Sequence, residues 1–222
     1  MAIKLEKGQK INLKKESGET LSSFCVGVNW GALETQKKKL FGGTKKVKQE
    51  VDLDLSAVMV DAKGEPVDHI YSPLYNPQML KNAGLPPGKL NSLDGAMLHS
   101  GDDLTGDMDG DDGLDNEIIS VNTGRIDAKI QSIYFFLNNV GPEDFSVIPF
   151  AKIRMYEGTP DRVNRVHAVF DVVSESAYRG KRAMIMGKLY RRDNEWKFGA
   201  IGDATDDPSF AHTLMNIIQN YK

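Results

Sequence analysis

"VDLDLSAVMVD", residues Val51 to Asp61, alternates with a period of two. Val51, Leu53, Leu55, Ala57 and Met59 fall on one side, and Asp52, Asp54 and Ser56 fall on the other. Only an extended backbone sorts these residues by polarity, so the stretch is predicted to be a β-strand with one face in a core. Working outward, "FCVGVNW" (Phe24 to Trp30), "EIISVN" (Glu117 to Asn122) and "KIQSIYFFLN" (Lys129 to Asn138) are β-branched or aromatic runs of strand length. "FAKIRMYE" (Phe150 to Glu157) and "RVHAVFDVV" (Arg165 to Val173) are two more. "RAMIMGKLYRRDNEWKFGAIG" (Arg182 to Gly202) is predicted to be a long hairpin turning at Arg192-Asp193-Asn194-Glu195. Many short strands separated by Gly, Pro, Asn and Asp predict a mainly β chain, a sandwich or a barrel.

Helix signals are few. The clearest is at the C-terminus. Asp207 can cap, Pro208 suits a first helical position, and Phe210, Leu214, Ile217, Ile218 and Tyr221 fall near helical spacing. This short helical extension, 207–222, is expected to pack on a sheet. Two segments read as loop insertions into one domain spanning 1–222. One, near 34–50, carries Lys37, Lys38, Lys39, Lys45, Lys46 and Lys48 around Gly42-Gly43. The other, near 73–95, is rich in Pro, Gly and Asn.

The totals exclude several classes. The chain has 222 residues, of which 40% are hydrophobic and 27% charged, so it can bury a core and is too apolar to be disordered. A net charge of -3 favours neither nucleic acid nor membrane. The single cysteine, Cys25, allows no internal disulfide and no thiolate metal site; it is expected to be a buried, inert thiol. "MAIKLEKGQK" has no apolar core of a signal peptide, and no apolar run reaches membrane-spanning length. The expected location is cytoplasmic, with peripheral membrane association as the furthest departure.

The chemistry concentrates in "HSGDDLTGDMDGDDGLDNE", His99 to Glu117. Asp102, Asp103, Asp107, Asp109, Asp111, Asp112, Asp115 and Glu117 crowd it with no Lys or Arg between them. Carboxylates about 4 Å apart repel by roughly 1 kcal/mol in water and about 4 kcal/mol at an effective dielectric of 20. Calcium takes six to eight oxygens, which carboxylates and carbonyls supply, and glycines let such a loop curl. Zinc is disfavoured because His99 is the only nitrogen ligand, and magnesium needs fewer carboxylates. An EF-hand register started at Asp107 fits Asp109 and Asp111, but puts Asp112 where Gly is required and Ile118 where Glu is required. A calcium loop clamped between strands, braced by His99, is the expectation; the bland alternative is a solvated acidic loop.

With these residues in view, the sequence resembles the tellurium-resistance TerD family. The matching pieces are "MAIKLEKGQKINLKK", "VGVNW", "DLDLSAVMVD", the "HSGDDLTGDMDGDD…E" loop and "GKLYRRDNEWKFGAIG". The resemblance implies a β-sandwich of two antiparallel sheets and a calcium-binding, non-enzymatic bacterial protein. It would hold more than one ion and act as a scaffold or sensor with other proteins of a stress-resistance complex. Carried over by motif, Asp52 and Asp54 are the D-L-D pair, Asp102 and Asp103 the first acidic step, and Asp111, Asp112 and Glu117 the closing step. The loop itself adds Asp109. Gly113-Leu114-Asp115-Asn116 separates Asp112 from Glu117, where many relatives have the Glu directly, so either Asp115 or Glu117 completes the site.

A metal-dependent hydrolase built on the same carboxylates is the alternative of a different class. Against it, there is no Ser/His/Asp arrangement and no phosphate loop, and His69, His99, His167 and His212 are scattered. The lysines from Lys37 to Lys48 suggest contact with an anionic membrane, against a solvated loop as the plainer alternative. Nucleic acid is not expected, because Phe41 is the only aromatic residue among them.

Overall fold

The computed structural model describes residues 3–4, 9–12, 21–38, 43–171, 178–193 and 195–221. In chain order the strands begin with β1 (Ile3–Lys4), β2 (Lys10–Asn12), β3 (Ser23–Trp30), β4 (Leu33–Lys38), β5 (Thr44–Gln49), β6 (Leu53–Val60) and β7 (Pro66–Ile70). Helix α1 (Pro77–Asn82) precedes β8 (Met97–His99), β9 (Glu117–Asn122), β10 (Ser132–Asn139), β11 (Ala151–Thr159) and β12 (Arg162–Asp171). The chain ends with β13 (Ala183–Arg192), β14 (Glu195–Thr205) and α2 (Phe210–Asn220). Two six-stranded sheets result, ordered β1-β12-β11-β3-β9-β8 and β2-β14-β13-β10-β6-β7. Every pairing is antiparallel except the short β1–β12 edge.

The alternation in β6 does what its sequence predicts on one face. Val51, Leu53, Leu55, Ala57 and Met59 all enter the core between the sheets, against Phe24, Val26, Val28 and Trp30 of β3 and Ile119 and Val121 of β9. The opposite face is not solvent. Asp54 and Ser56 are buried, and Val58 and Val60 join a second core with Tyr134, Phe136 and Ile185. The cover is α2, which lays Phe210, Leu214 and Ile217 on that outer face. The C-terminal helix therefore packs on a sheet as expected. Its cap differs: Ser209 is the N-cap, and its hydroxyl bonds His212 Nδ1 at 2.8 Å rather than a backbone amide of the first turn. Asp207, the expected cap, instead accepts from Thr205 Oγ1 at 2.5 Å and from Asn216 Nδ2 at 3.1 Å.

The two supposed loops contain regular structure. β4 and β5 form a separate two-stranded ribbon, in which Lys46 pairs with Glu34 at 2.6 Å. Alternating Thr, Val and Gln among the lysines allow this pairing without a core. Lys39 lies outside the described residues, as do the side chains of Lys37 and Lys38. In the second segment, Asn76 accepts from the Gln78 and Met79 amides and Pro77 opens α1, a capping pair that the surrounding Pro and Gly obscure. The long hairpin pairs Arg192 with Glu195 as predicted, with Asp193 at φ 55°; Asn194 of the turn is outside the described residues. Cys25 is buried, and burial pushes its thiol up. Among the described residues no helix is long and apolar enough to cross a membrane.

Phe210 ties α2 to the sheet through rings of Tyr75 at 4.3 Å, Tyr71 at 4.6 Å and Phe136 at 5.8 Å between centroids. Phe210→Ala is expected to cost about 3 kcal/mol or more. Urea unfolding should show this as a lower midpoint with an unchanged slope.

Candidate metal centre

Strand β7 stops pairing with β6 at Ala57, opposite Ile70. Beyond that point the Leu55 N–H and C=O face no strand, and the other sheet satisfies them. Glu117 Oε2, at the start of β9, accepts from the Leu55 N–H at 2.7 Å. His99 Nδ1 accepts from the Gly101 N–H at 3.0 Å, which leaves Nε2 to donate to the Leu55 carbonyl at 3.1 Å. Nε2 also lies 3.4 Å from Glu117 Oε2. The second Glu117 oxygen accepts from the Asp103 N–H at 3.1 Å. One buried carboxylate thus holds β6, β9 and the acidic loop together, and His99 braces the loop as the sequence suggests.

Around Glu117 the structure assembles a compact group. Carboxylate oxygens of Asp54, Asp102 and Glu117 lie within 4.8 Å of one another. Asp54 is 4% exposed and Glu117 0%. Asp52 belongs to the same group electrostatically. Burial, then Glu117, Asp102 and Asp103, push its carboxyl up to about 6. Burial, then Glu117, push Asp54 up to about 8. Burial also raises Glu117, partly offset by His99 and the Leu55 and Asp103 amides. Ser72 donates to Asp102 Oδ2. Asp52 Oδ1, Asp102 Oδ1 and Asn138 Oδ1 are buried with no partner among the described residues.

The rest of the loop is held differently. Asp103 is a turn organiser: Oδ1 accepts from the Thr105 and Gly106 amides at 2.8 and 3.1 Å, and Oδ2 accepts from Asn116 at 3.0 Å. Asp109 pairs with Lys48 at 2.7 Å and Asp111 with Lys152 at 2.6 Å, both at the surface. Asp112 accepts from the Leu114 amide at 2.8 Å. Asp115 turns away into a buried pair with Arg154 Nε, at 2.7 and 2.9 Å. Gly27 of β3 makes room for it, since a Cβ there would come within 2.1 Å of Asp115 Oδ2. Of the eight predicted site residues, Asp52, Asp54, Asp102 and Glu117 come together and Asp103 touches Glu117 through its amide. Asp109, Asp111 and Asp112 lie apart on the outer arm. Between Asp115 and Glu117, it is Glu117 that reaches the group.

Above the group opens a cleft of about 300 Å³, lined in part by Tyr75, Asn138, Arg182 and Phe210. The sequence reading missed Asn138 and Ser72. Asn138 sits opposite Asp54 in the β10–β6 register. Its only sequence signal is an Asn pair closing an otherwise apolar strand, "SIYFFLNN".

Comparison with known proteins adds the family context. The TerD domain model matches residues 1–221. The chain is 30% identical over 202 residues to tellurium resistance protein TerZ of Serratia marcescens, covering 91% of this chain and 90% of that protein. It is 31% identical over 228 residues to stress response protein SCP2 of Bacillus subtilis (strain 168), covering both in full. The crystal structure of a homologue of telluride resistance protein (TerD), SCO6318 from Streptomyces coelicolor A3(2), superposes with a TM-score of 0.55 at 15% identity. That likeness covers 90% of this chain and 97% of the other, and it concerns the fold.

The raised carboxyls predict an unusual pH response for metal-free protein. Unfolded, Asp52 and Asp54 ionise near 3.8; folded, they hold their protons to about 6 and about 8. Between roughly pH 4 and 8 the native state therefore binds more protons than the unfolded chain, and stability falls as pH rises. In chelator, melting should drop by several degrees from pH 5 to pH 8, at about 2–4 °C per kcal/mol for a chain of this size. Asp54→Asn should flatten most of that slope.

Proposed function

The chain belongs to the TerD domain family of tellurium-resistance and stress-response proteins, and from that premise we propose that it is a non-enzymatic, calcium-binding scaffold or sensor within such a system. One observation carries the metal reading: the buried carboxylates of Asp54 and Glu117 and the half-buried one of Asp102 meet within 4.8 Å. Among the described residues no Lys or Arg pairs with them. Burying one unpaired carboxylate is costly, and burying several together without a counter-charge is more so. The orphaned oxygens of Asp52, Asp102 and Asn138 are acceptors in want of a cation.

The donor set selects the ion. It is all oxygen, which suits calcium. Both His99 nitrogens are occupied by Gly101 and Leu55, so no nitrogen is left for zinc. Asp52, Asp54, Asp102 and Glu117 would hold calcium, with Asn138 as a neutral oxygen. Calcium would supply the charge that cancels their repulsion.

A sensing role is supported by how the loop is wired. Its backbone bonds both ends of the lysine ribbon: Asp107 N–H donates to Trp30 at 2.9 Å, Ala32 N–H to Asp107 at 3.1 Å, and Val51 N–H to Thr105 at 3.1 Å. Lys48 adds a side-chain tie to Asp109. Loading the buried end of the loop is thereby coupled to the ribbon, the surface we assign to partner proteins or an anionic membrane.

Calorimetric titration of calcium into chelator-stripped protein tests the reading. Micromolar or tighter binding is expected, as for a sensor site. Asp54→Asn and Glu117→Gln should weaken it by roughly a hundredfold, while Asp115→Asn leaves it within about twofold, by the strength of charge-assisted contacts. Absence of calcium heat from folded, metal-free protein would overturn the proposal.

A further inference from the structure

Among the described residues, nine buried side-chain polar atoms have no partner, and five belong to residues lining the cleft above the carboxylates. They are Asp52 Oδ1, Asp102 Oδ1, Asn138 Oδ1, Tyr75 Oη and Arg182 Nε. Native proteins leave few such atoms, so five in one place mark a site where something else supplies the partners. A cation accounts for the first three, which are acceptors. It does not account for Arg182 Nε, which only donates and needs an acceptor; the Tyr75 hydroxyl can donate or accept.

Arg182 is the stronger indicator. Among the described residues it forms no ion pair, and its Nη2 donates only to the neutral carbonyl of Gly141. Asn138 is 3% exposed, and its Nδ2 is already committed to Thr213 Oγ1 at 2.8 Å, so the unpartnered end is the oxygen. Tyr75 turns its hydroxyl toward Asp54 without closing a hydrogen bond of ordinary geometry. Positive potential reaches the same space from α2. Ser209 and Phe210 line the cleft, and the 11-residue helix begins there with no side chain capping its first amides. The walls include Leu74, Met79 and Leu104, which suit carbon rather than charge.

We propose that this cleft is a subsite for a small organic anion, a carboxylate or a phosphate monoester, bound through Arg182 and Tyr75 after a cation has occupied the carboxylate group. The inference rests on the metal reading above. The order follows from charge: with the cation absent, the carboxylates of Asp52 and Asp102 line the cleft and repel the ligand. With the cation present the floor is neutralised, and Arg182, Tyr75 and the start of α2 act unopposed. The anionic head then takes the two donors while its carbon body lies against the apolar wall. On this reading the protein senses two solutes together, and neither alone fills the site.

The test uses the full-length protein and two probes, glycerol phosphate followed by phosphorus line broadening and butyrate followed by proton line broadening. Calcium affinity is first measured on the same samples by calorimetry. Saturable broadening of at least one probe is expected with calcium and not with chelator, and which probe responds tells phosphate from carboxylate. Arg182→Met should weaken that probe roughly tenfold while calcium affinity stays within about twofold. Tyr75→Phe removes a hydroxyl that lies toward Asp54, so its calcium affinity is measured as well; at saturating calcium it should weaken the probe a few-fold, and it keeps the test open if Arg182→Met does not fold. Calcium binding with no broadening of either probe overturns the subsite and leaves the metal reading intact. Broadening unchanged in both variants overturns it as well. No calcium binding overturns the metal reading, and the subsite falls with it.

Discussion

The carboxylate of Glu117 is the point on which the arrangement turns. It belongs to β9 of one sheet and accepts from Leu55 in β6 of the other, where β7 has stopped pairing. An unpartnered backbone amide inside a sandwich is costly, and an unpartnered carboxylate is costlier. Each satisfies the other. With His99 on the Leu55 carbonyl, the two sheets are joined by hydrogen bonds that no strand could supply, because strands in facing layers do not reach one another. The same carboxylate takes the Asp103 amide, so the entry of the loop is fixed by the core.

That stitch creates an electrostatic debt. Seating Glu117 between the sheets brings Asp54 and Asp102 within 4.8 Å of it, and burial penalises every ionised form. The chain shows two answers to buried carboxylates within one loop. Asp115 accepts at both oxygens from the Arg154 Nε–H, with Gly27 cut back to admit it. The inner group receives no such partner from the described residues, and Asp52 and Asp102 each leave a buried, unpartnered oxygen beside one cleft. A protein able to provide Arg154 on β11 has no general difficulty in pairing a carboxylate. This contrast supports the proposed reading, in which the inner group would take a cation from outside, whereas the Asp115 pair is part of the fold.

Much of this was legible in the sequence, for identifiable reasons. The period of two in β6 and the apolar runs of β3, β9 and β10 are local signals, and the core follows them. The joining of Asp52 and Asp54 to the loop was legible only through the D-L-D motif, since on a lone strand two alternating aspartates read as a solvent face. What made that face interior is α2, about 150 positions away in sequence, laid over β6 and β10. The choice between Asp115 and Glu117 depended on whether the extra four residues bulge outward, which Arg154 and Gly27 decide and no spacing rule contains. Asn138 escaped because one amide at the end of a strand has no pattern. Its meaning comes from lying opposite Asp54 in the register. The short ribbon and α1 were hidden for the opposite reason, their lysines and prolines being the usual marks of loops.

The loop therefore has two ends with different physics. At the inner end Asp54 and Glu117 are buried and Asp52 and Asp102 half-buried, they interact strongly, and no Lys or Arg among the described residues pairs with them. At the outer end Asp109 and Asp111 meet Lys48 and Lys152 in water, where such pairs are worth little, about 0–1 kcal/mol each. On the proposed reading, a strong site linked to weak surface contacts is what a switch requires: occupancy by a cation would change the inner end by on the order of several kcal/mol, and the outer end would resist by far less. The backbone bonds from Asp107 and Thr105 to the ribbon's base would carry that change outward. Were the outer pairs buried and strong, the loop would be rigid and the ribbon would not respond. On the proposed calcium reading, their exposure would leave the inner group in control of that surface.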